Sequence, residues 1–593
     1  MQRLCVSALT LFTLVLGAPT TWAGDGDEVE IGRRIYLEGR LSSGAALEAE
    51  RAGGTAVSGA QAACANCHRR SGMGAVEGTL LVPPISGHFL FDQEGQNLAT
   101  LDQRRRKSFN QSHTPYTSES LALAVKNGVG SDGRELNVVM PRFHLSDRDM
   151  QALEAYLRQL SSAWSPGVSA SSIRFATVIT PEVTPERRQA LLDVLRSAFV
   201  QKNASTVVAS RAGGRRHMVT SAELVLGTER TWELDVWQLT GTADTWAAQL
   251  AEHYRAHPVF ALISGISDDT WAPVHHFCQQ EKLPCWFPSV PLPEQDGSPY
   301  SIYFSRGLAL EADLLAQHLG AQQKKPARVI QVFRTAQVGQ VAEQMLAHRL
   351  AASGIQVEDR ALAEHGDGSL RKALAGVGSK DSVVYWLKAP DVATLSSMLP
   401  VGASYFSATL AGAENAPVPP LWKRQARLLY PYALPQDRRT GLAYFHSWMR
   451  LRKLPLVDEV LQSEAYFAVN FLTDTLAEML DNVYRDYLLE RAESMLGQRE
   501  AGKAEQEARE RAVLGRAGDL GSHYPSRRSM SDTRDLVAME ASTNRTGTPR
   551  GTTSYPHLSL AQGQRFASKG GYIVRFDLSA GKGVVADSEW LAP

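Results

Sequence analysis

The residues with the clearest chemical capacity, Cys64, Cys67 and His68, lie together in the sequence Cys-Ala-Asn-Cys-His. Cys-x-x-Cys-His is the attachment sequence of a c-type haem. Its two thiols lie one helical turn apart, so each can bond to one of the two haem vinyl groups. The histidine that follows is carried under the iron, where its imidazole serves as the proximal ligand. The spacing therefore predicts one covalent haem c and a role in electron transfer.

Two other kinds of site also use a Cys-x-x-Cys pair. A thioredoxin-like redox pair follows a strand in a βαβ unit, whereas residues 61–67 follow a Gly/Ala-rich stretch. A zinc site needs two further ligands at comparable spacing. The remaining cysteines, Cys5, Cys278 and Cys285, are all far away in the sequence. These observations favour haem attachment.

The N-terminal segment is typical of a signal peptide. Arg3 supplies a positive charge, residues 8–16 form a short apolar core, and residues 21–23 (Thr-Trp-Ala) end on a small-x-small cleavage site. The apolar core is too short to span a membrane, and no later stretch approaches that length. The sequence predicts a protein exported to the periplasm, with residues 1–23 removed and no membrane span.

Length and composition restrict the protein class further. A chain of 593 residues is too long for one hydrophobic core, so several domains are expected. Lys plus Arg and Asp plus Glu both number 62, so no overall charge favours a nucleic-acid partner. An apolar fraction of 44% is ordinary for globular domains.

Residues 24–165 are predicted to form a small all-α haem domain. Apolar residues recur at helical spacing over 29–39 and 118–127. A last amphipathic helix is predicted over 146–160, with Ser146 as its N-cap.

Two loops of this domain have an expected role. The proline-containing loop at 81–85 is placed to bring a backbone carbonyl to the second nitrogen of His68, which would fix the tautomer. Residues 104–107 (Arg-Arg-Arg-Lys) form either a solvated loop, a docking patch for an acidic redox partner, or a counter-charge for haem propionates.

This segment resembles a class I cytochrome c domain. The resemblance rests on the Cys-Ala-Asn-Cys-His motif, the Met140-Pro141 pair and the last helix, which carries Tyr156 and Leu157. In that family the methionine of this turn is the sixth iron ligand. The resemblance therefore implies that Met140 binds the haem iron on the side opposite His68.

Other side chains compete with Met140 for the sixth position. Met73 lies very close to the attachment motif and Met150 lies within the last helix, so both are weaker candidates. His88 is a further candidate, and His144 is the main competitor. His/Met ligation favours a higher reduction potential than His/His ligation and leaves no open iron site for a substrate.

From residue 172 onward, strand and helix patterns alternate. Repeated βα units predict a parallel sheet covered by helices on both faces, and their number predicts two α/β lobes. The predicted strands cover 174–180, 234–239, 259–264, 284–287, 301–304, 328–333, 356–361, 382–387 and 427–431. The main predicted helices cover 181–203, 242–256, 309–322, 337–352 and 463–496.

Residues 172–593 are similar to the type I periplasmic solute-binding proteins, particularly the branched-chain amino-acid-binding group. The segments 261–267 (ALISGIS), 277–287 (FCQQEKLPCWF) and 555–576 carry this resemblance, together with the βα order. The resemblance implies two lobes joined by a hinge that close on a small solute.

A solute site is expected where strands end. Ligands of open α/β sheets bind outside the carboxyl ends of the strands. Ser264, Gly265 and Ser267 follow one predicted strand and offer hydroxyls and backbone amides to a carboxylate. Further candidates at other strand ends are Ser305, Trp386 and Lys388.

Two more features complete the predicted second domain. Cys278 and Cys285 are expected to form a disulfide in an oxidising compartment, with a redox-active pair as the alternative. Residues 497–553 are predicted to be an insertion that is helical to about residue 514 and then disordered. The segment after 555 regains strand-like composition and is expected to pack on a lobe.

Three functions are compatible with these patterns. The first is an electron-transfer protein whose second domain docks to or senses something, working with a periplasmic redox partner protein. The second is a transport or sensing component that binds a small solute such as an amino acid, with an accessory haem. The third, an enzyme, lacks a phosphate-binding Gly-rich loop, a second Cys-x-x-Cys-His motif and a nucleophile elbow. We predict an electron carrier rather than a catalyst.

Overall fold

The computed structural model describes residues 25–51, 53–77, 80–92, 113–211, 230–363, 370–519, 553–579 and 583–593. They form two compact units, the first ending at Ser162 and the second beginning at Ala163. The predicted signal peptide, the basic run at 104–107 and residues 520–552 lie outside the described residues. Within the described ranges, no helix is both long enough and apolar enough to cross a bilayer.

The first unit has a helical framework that follows its sequence signals. The predicted last helix begins at Ser146, whose Oγ accepts a hydrogen bond from the Asp149 amide, so the N-cap prediction is confirmed. The helix before it begins at a capping box formed by Thr117 and Ser120 and ends at Gly128, which has a φ of 75°. The α-helices described here are α1 (Asp25–Glu38), α2 (Ala65–His68), α3 (Gly87–Phe91), α4 (Ser118–Asn127) and α5 (Asp147–Gln159).

This unit also contains short strands, so the prediction of an all-α domain needs correction. The strands are β1 (Glu48–Arg51), β2 (Thr55–Ser58), β3 (Ala75–Glu77), β4 (Leu80–Val82) and β5 (Arg142–His144). β1 pairs with both β2 and β5, and β3 pairs with β4, all antiparallel.

The β1–β2 hairpin forms within the stretch that reads as a Gly/Ala-rich loop. Gly53 and Gly54 adopt φ values of 91° and 79° in its turn, a conformation that glycine adopts at little cost. Ala49 and Val57 lie directly opposite each other and are both buried, which gives the hairpin an apolar face. Strands this short show too little alternation to be recognised in the sequence.

The second unit has the predicted α/β architecture, built on two sheets. The strands of the first sheet are β6 (Ser172–Ile179), β7 (Thr231–Gln238), β8 (Ala261–Ile263), β9 (Cys285–Trp286) and β10 (Ser301–Ile302). Their order is β10-β9-β8-β6-β7 and all pairs are parallel. Strands of this sheet that are consecutive in sequence are therefore joined by crossover connections, as in doubly wound folds.

The second sheet is mixed. Its strands are β11 (Arg328–Arg334), β12 (Gln356–Leu362), β13 (Ser382–Trp386), β14 (Ala403–Ser407), β15 (Ala426–Tyr430), β16 (Tyr572–Phe576) and β17 (Val584–Ala586). The order is β12-β11-β13-β14-β15-β16-β17, and the pairs that involve β16 are antiparallel. The expectation that the C-terminal segment packs on a lobe is therefore confirmed. The sequence reading missed β14.

The helices of the second unit cover both lobes. They are α6 (Pro185–Arg211), α7 (Trp246–Ala256), α8 (Ala272–Gln280), α9 (Leu308–Ala321), α10 (Val338–Leu350), α11 (Leu370–Ala373), α12 (Ala389–Ala393), α13 (Ala408–Ala411), α14 (Pro435–Gly441), α15 (Ala443–Arg452), α16 (Glu459–Met479) and α17 (Arg485–Asp519). The single helix predicted over 463–496 is two helices, because Leu480 adopts a φ of 57° and interrupts it.

The chain passes between the two lobes through the segments 303–307, 431–458 and 553–571. After the second passage it returns to the first lobe, where α16 accepts a hydrogen bond at the Ala468 carbonyl from the Trp286 indole. The predicted disulfide between Cys278 and Cys285 is confirmed and lies in the first lobe.

Candidate functional sites

Cys64, Cys67 and His68 lie on one short helical turn. Cys64 is the N-cap of α2, and its carbonyl accepts hydrogen bonds from the amides of Cys67 and His68 at 3.2 and 2.9 Å. The Asn66 amide group donates to the Ala60 carbonyl at 2.8 Å and anchors the turn from outside. Burial raises the pKa of the Cys64 thiol to about 12. The turn therefore presents two thiols and an imidazole from a single fixed segment.

The predicted carbonyl contact to His68 is confirmed. His68 Nδ1 donates a hydrogen bond to the Pro83 carbonyl oxygen at 3.0 Å, so Nε2 carries the lone pair. Burial lowers the pKa of His68 to about 4, although the Pro83 carbonyl opposes this effect. The imidazole is therefore neutral near pH 7, which is the form that binds a metal.

The backbone directly after the motif is tightly constrained. Arg69, directly after the histidine, has a φ of 68° and a ψ of 170°, a combination that side chains rarely adopt. The Tyr36 hydroxyl of α1 donates to the Arg69 carbonyl at 2.7 Å, and the Tyr36 ring lies 5.4 Å from that of Tyr156 in α5. The first and last helices of this unit thus hold the end of the motif.

Met140 lies in the loop before β5. Its amide donates to the Asn137 carbonyl at 3.0 Å, and its carbonyl accepts from the Arg142 guanidinium at 2.7 Å. The half-buried Met140 side chain packs against the same apolar core as Cys64. The neighbouring Val138 and Val139 are 64% and 49% exposed, so they offer apolar surface beside the thioether.

The competing side chains are placed differently. His144 is exposed on β5, beside the buried Phe143 that points to the core. His88 Nδ1 lies 3.1 Å from the Asp92 carboxylate on the surface. Met73 and Met150 are buried residues of the core. In the part of the chain that the structure describes, no group of three or more His, Cys, Asp or Glu residues is arranged to hold a metal ion.

The donor set and its surroundings fit a haem c. Such a group needs two thiols at the attachment spacing and a neutral imidazole with Nε2 available. It also needs a second axial donor and apolar surface, which the Met140 thioether on the same core and the exposed valines beside it offer. Residues 54–161 match the family model of cytochrome c. The first unit contains a cytochrome c domain. This family carries covalently bound haem c. Among curated proteins, none matches the chain.

Gly74 is expected to be critical in the cytochrome c domain. Its amide donates to the His68 carbonyl at 3.0 Å, and a Cβ at this position would lie 2.2 Å from the Val82 oxygen and 2.7 Å from the Pro83 oxygen. Gly74→Ala should therefore displace the carbonyl that orients the imidazole. We expect a loss of about 2–4 kcal/mol in the free energy of unfolding, measured by denaturant titration, with a shifted haem absorbance spectrum.

Gly133→Ala is the matched control for this substitution. Gly133 also has a positive φ, of 80°, but no heavy atom lies within 4 Å of its added Cβ. It should cost about 1–2 kcal/mol from backbone strain alone and leave the haem spectrum unchanged. Equal effects of the two substitutions on the spectrum would show that the Pro83 contact does not orient the imidazole.

The predicted solute residues Ser264, Gly265 and Ser267 lie together just after β8. The Ser267 hydroxyl contacts the Glu182 carboxylate at 2.8 Å and is therefore already engaged. Gly265 is covered by the Trp271 indole, since an added Cβ would lie 2.4 Å from that ring. Ser264 is buried, and its Oγ has no hydrogen-bond partner in the described structure.

The other strand-end candidates belong to different surroundings. Trp386 donates from its indole to the Gln331 side chain at 2.8 Å, inside the second lobe. The Ser305 hydroxyl accepts from the Gly307 amide at 3.1 Å. Lys388 precedes α12, and its charge acts on Asp269 of the first lobe. Of these three residues, Lys388 is the one placed opposite the β8 end.

The carboxyl ends of the two sheets face each other. Asp269 follows β8, and its carboxyl group lies near the amide of Val338, the first residue of α10, which opposes the rise in its pKa. Burial raises the pKa of Asp269, whereas the positive charge of Lys388 opposes the shift. We call the space between these two sheet edges the cleft.

Sequence analysis missed two buried carboxyl groups beside the cleft. Burial raises the pKa of Glu311, in α9, and of Glu464, in α16, each to about 7. Both lie within mostly apolar stretches of helix, LALEADLL and SEAYFAVNFL. A glutamate inside an apolar stripe was the signal available in the sequence.

The chain is similar to solved structures of binding proteins at low sequence identity. A possible leucine/isoleucine/valine-binding protein from Rhodopirellula baltica SH 1 is 13% identical, with a TM-score of 0.45 over 72% of this chain and 98% of that one. A fatty acid ABC transporter substrate-binding protein from Thermomonospora curvata is 14% identical, with a TM-score of 0.43 over 73% and 95%. A branched-chain amino acid ABC transporter from Thermus thermophilus with bound valine is 12% identical, with a TM-score of 0.44 over 71% and 97%.

Proposed function

We propose that the protein is an exported monohaem c-type electron carrier of the periplasm, and not a catalyst. Its α/β unit would dock to a redox partner protein or sense a small solute. The observation that carries this proposal is the α2 turn, in which two correctly spaced thiols precede an imidazole whose Nδ1 is held by the Pro83 carbonyl. Such an arrangement serves covalent haem attachment and axial ligation.

Each residue of the site has a proposed task. Cys64 and Cys67 would form the two thioether bonds, His68 would bind the iron through Nε2, and Met140 would bind it through sulfur. Haem c, when bound, supplies reversible one-electron exchange at its iron. The Pro83 carbonyl accepts a hydrogen bond from Nδ1–H and so makes the imidazole a stronger electron donor at Nε2.

Met140 is tested by its replacement with alanine. Met140→Ala should abolish the sulfur-to-iron absorption band near the red edge of the spectrum. It should also lower the reduction midpoint on the order of 0.1 V, since axial ligands set this potential. The measurements are absorbance spectroscopy and a potentiometric titration of the haem-loaded protein.

His144→Ala is the control for Met140→Ala. His144 is exposed and lies four residues from Met140, so its replacement should change neither the band nor the potential. If His144→Ala changes both while Met140→Ala changes neither, His144 is the sixth ligand and the proposed assignment is wrong.

Solute binding in the cleft is a second candidate function, for which an amino acid is one possible ligand class. The observation that favours it is that the two sheet edges meet, with Asp269 of the first lobe near the Val338 amide and within reach of the charge of Lys388. Ligands of parallel α/β sheets bind at such edges. A bound solute should raise the melting temperature of the second unit, and the shift should grow with the logarithm of the free solute concentration above its Kd.

A further inference from the structure

Glu464 of α16 is a buried carboxyl group with one oxygen that has no hydrogen-bond partner among the described residues. Its side chain is 3% exposed, and Oε1 accepts a hydrogen bond from the Tyr555 hydroxyl at 3.1 Å. Ser289, which follows β9, lies near this carboxyl group and opposes the rise in its pKa. Oε2 has no partner among the described residues. The nearby cation, Arg187, is already engaged in ion pairs with two aspartates, so it leaves the charge of Glu464 largely uncompensated.

Glu311 repeats this arrangement from the second lobe. The residue is 0% exposed, and Oε1 accepts hydrogen bonds from the Thr409 amide and hydroxyl at 2.8 and 2.7 Å. Thr409 follows β14, at the carboxyl edge of the second sheet. Oε2 again has no partner within the described ranges. A buried charge without a counter-charge is costly, so each of these two oxygens calls for an explanation.

Aromatic rings connect the two carboxylates. The Tyr432 and Tyr555 rings lie 5.4 Å apart, and Phe304 stacks on Tyr555 at 5.4 Å. Burial raises the pKa of Tyr432, and the charges of Glu464 and Glu311 raise it further. The two glutamates therefore act on one common region, lined by π faces that attract cations.

Acidic groups outnumber basic ones around the cleft, since the charge of Lys388 acts on Asp269 and Arg187 is paired with two aspartates. The Ser267 hydroxyl, a candidate for holding a carboxylate, is occupied by Glu182, whose negative charge would repel such a group. Glu311 and Glu464 add two further acidic groups, and neither has an ion pair in the described structure. The negative charge, the unpartnered oxygens and the aromatic rings all favour a cationic ligand.

We propose that the cleft binds a small organic ammonium ion, whose positive group is held by Glu311, Glu464 and the tyrosines Tyr432 and Tyr555. This inference rests on the proposed solute-binding function and specifies the class of its ligand. Because the four side chains are buried, the ligand reaches them when the lobes separate and is enclosed when they close.

The test is thermal unfolding of the haem-loaded full chain with choline, ethanolamine, isovalerate, valine and 3,3-dimethyl-1-butanol, the uncharged isostere of choline. We expect choline or ethanolamine to raise the melting temperature by roughly 3–5 °C at a hundred times its Kd. The uncharged isostere and isovalerate should give no shift.

Glutamine substitutions test whether Glu311 and Glu464 hold the ligand. Glu311→Gln and Glu464→Gln should each abolish the shift, whereas Glu343→Gln, which changes a buried carboxyl beside Asp359 in the second lobe, should retain it. A cooperative unfolding transition, followed by the fluorescence of the buried Trp271 and Trp286, shows that the second unit of each variant is folded.

Each remaining outcome overturns the inference in a distinguishable way. Equal shifts with choline and its isostere, or shifts that persist in both cleft variants, exclude recognition of the cation by these glutamates. A shift with isovalerate or valine alone preserves the solute-binding function and removes the ammonium assignment. No shift with any of the five compounds removes both.

Discussion

A chain in which Cys64 and Cys67 are both replaced by alanine is expected to leave a c-type-haem-maturing host without covalent haem. The expectation follows because the two thioether bonds are the only covalent links that the motif provides. His68 and its contact to Pro83 remain, so some haem should bind loosely and be removed by denaturation. Haem staining of a denaturing gel should fall to background.

The double replacement of Cys278 and Cys285 is the matched control. These residues form the disulfide of the second unit, far in sequence from the motif. Their loss should cost about 2 kcal/mol or more of stability and leave the haem stain at full strength. Covalent haem retained in the Cys64/Cys67 double variant would remove the haem-attachment assignment.

The second unit is expected to lose stability as the pH rises from 5 to 8. Burial raises the pKa of Glu311 and Glu464 to about 7, whereas an unfolded glutamate titrates near its ordinary value of 4.5. Between these values the folded state binds more protons than the unfolded state, so stability falls with pH. The protonated carboxyls contribute fully below pH 4.5, and the contribution is lost through pH 7. Each group accounts for on the order of 3 kcal/mol.

The measurement is denaturant unfolding at pH 5 and pH 8, followed by tryptophan fluorescence. Trp286 and Trp271 are fully buried in the first lobe and report on its unfolding. The Glu311→Gln/Glu464→Gln double variant should show a much smaller difference between the two pH values. Glu252→Gln, which changes an exposed carboxyl of α7, should keep the wild-type difference. A double variant with the wild-type pH dependence would show that other groups cause it.

Local chemistry explains which parts of the site the sequence could predict. The attachment motif works through the covalent spacing of adjacent residues, and the Pro83 contact follows from a proline loop 15 residues after His68. The helix that begins at Ser146 was equally predictable, because its cap is a property of consecutive residues. In contrast, the short strands of the first unit depend on pairing across the chain.

The contacts around the cleft could not be predicted in this way, because they join residues that are far apart in the sequence. The rule for strand ends correctly placed Ser267 at the carboxyl edge of the first sheet. Whether its hydroxyl is available depends on Glu182, 85 residues earlier in the chain. Tyr555 and Glu464 are 91 residues apart in sequence, and their contact depends on how the C-terminal segment 553–571 passes between the lobes. Only the assembled fold brings these groups together.

The most direct test of haem attachment is the mass of the denatured, intact wild-type chain, expressed with its N-terminal segment in a host that matures c-type cytochromes. We expect the mass of the mature chain plus one haem, together with low-spin bands in the reduced absorbance spectrum. A folded chain with the mass of the polypeptide alone would contradict it, and Cys64 and Cys67 would then need a thiol or metal role.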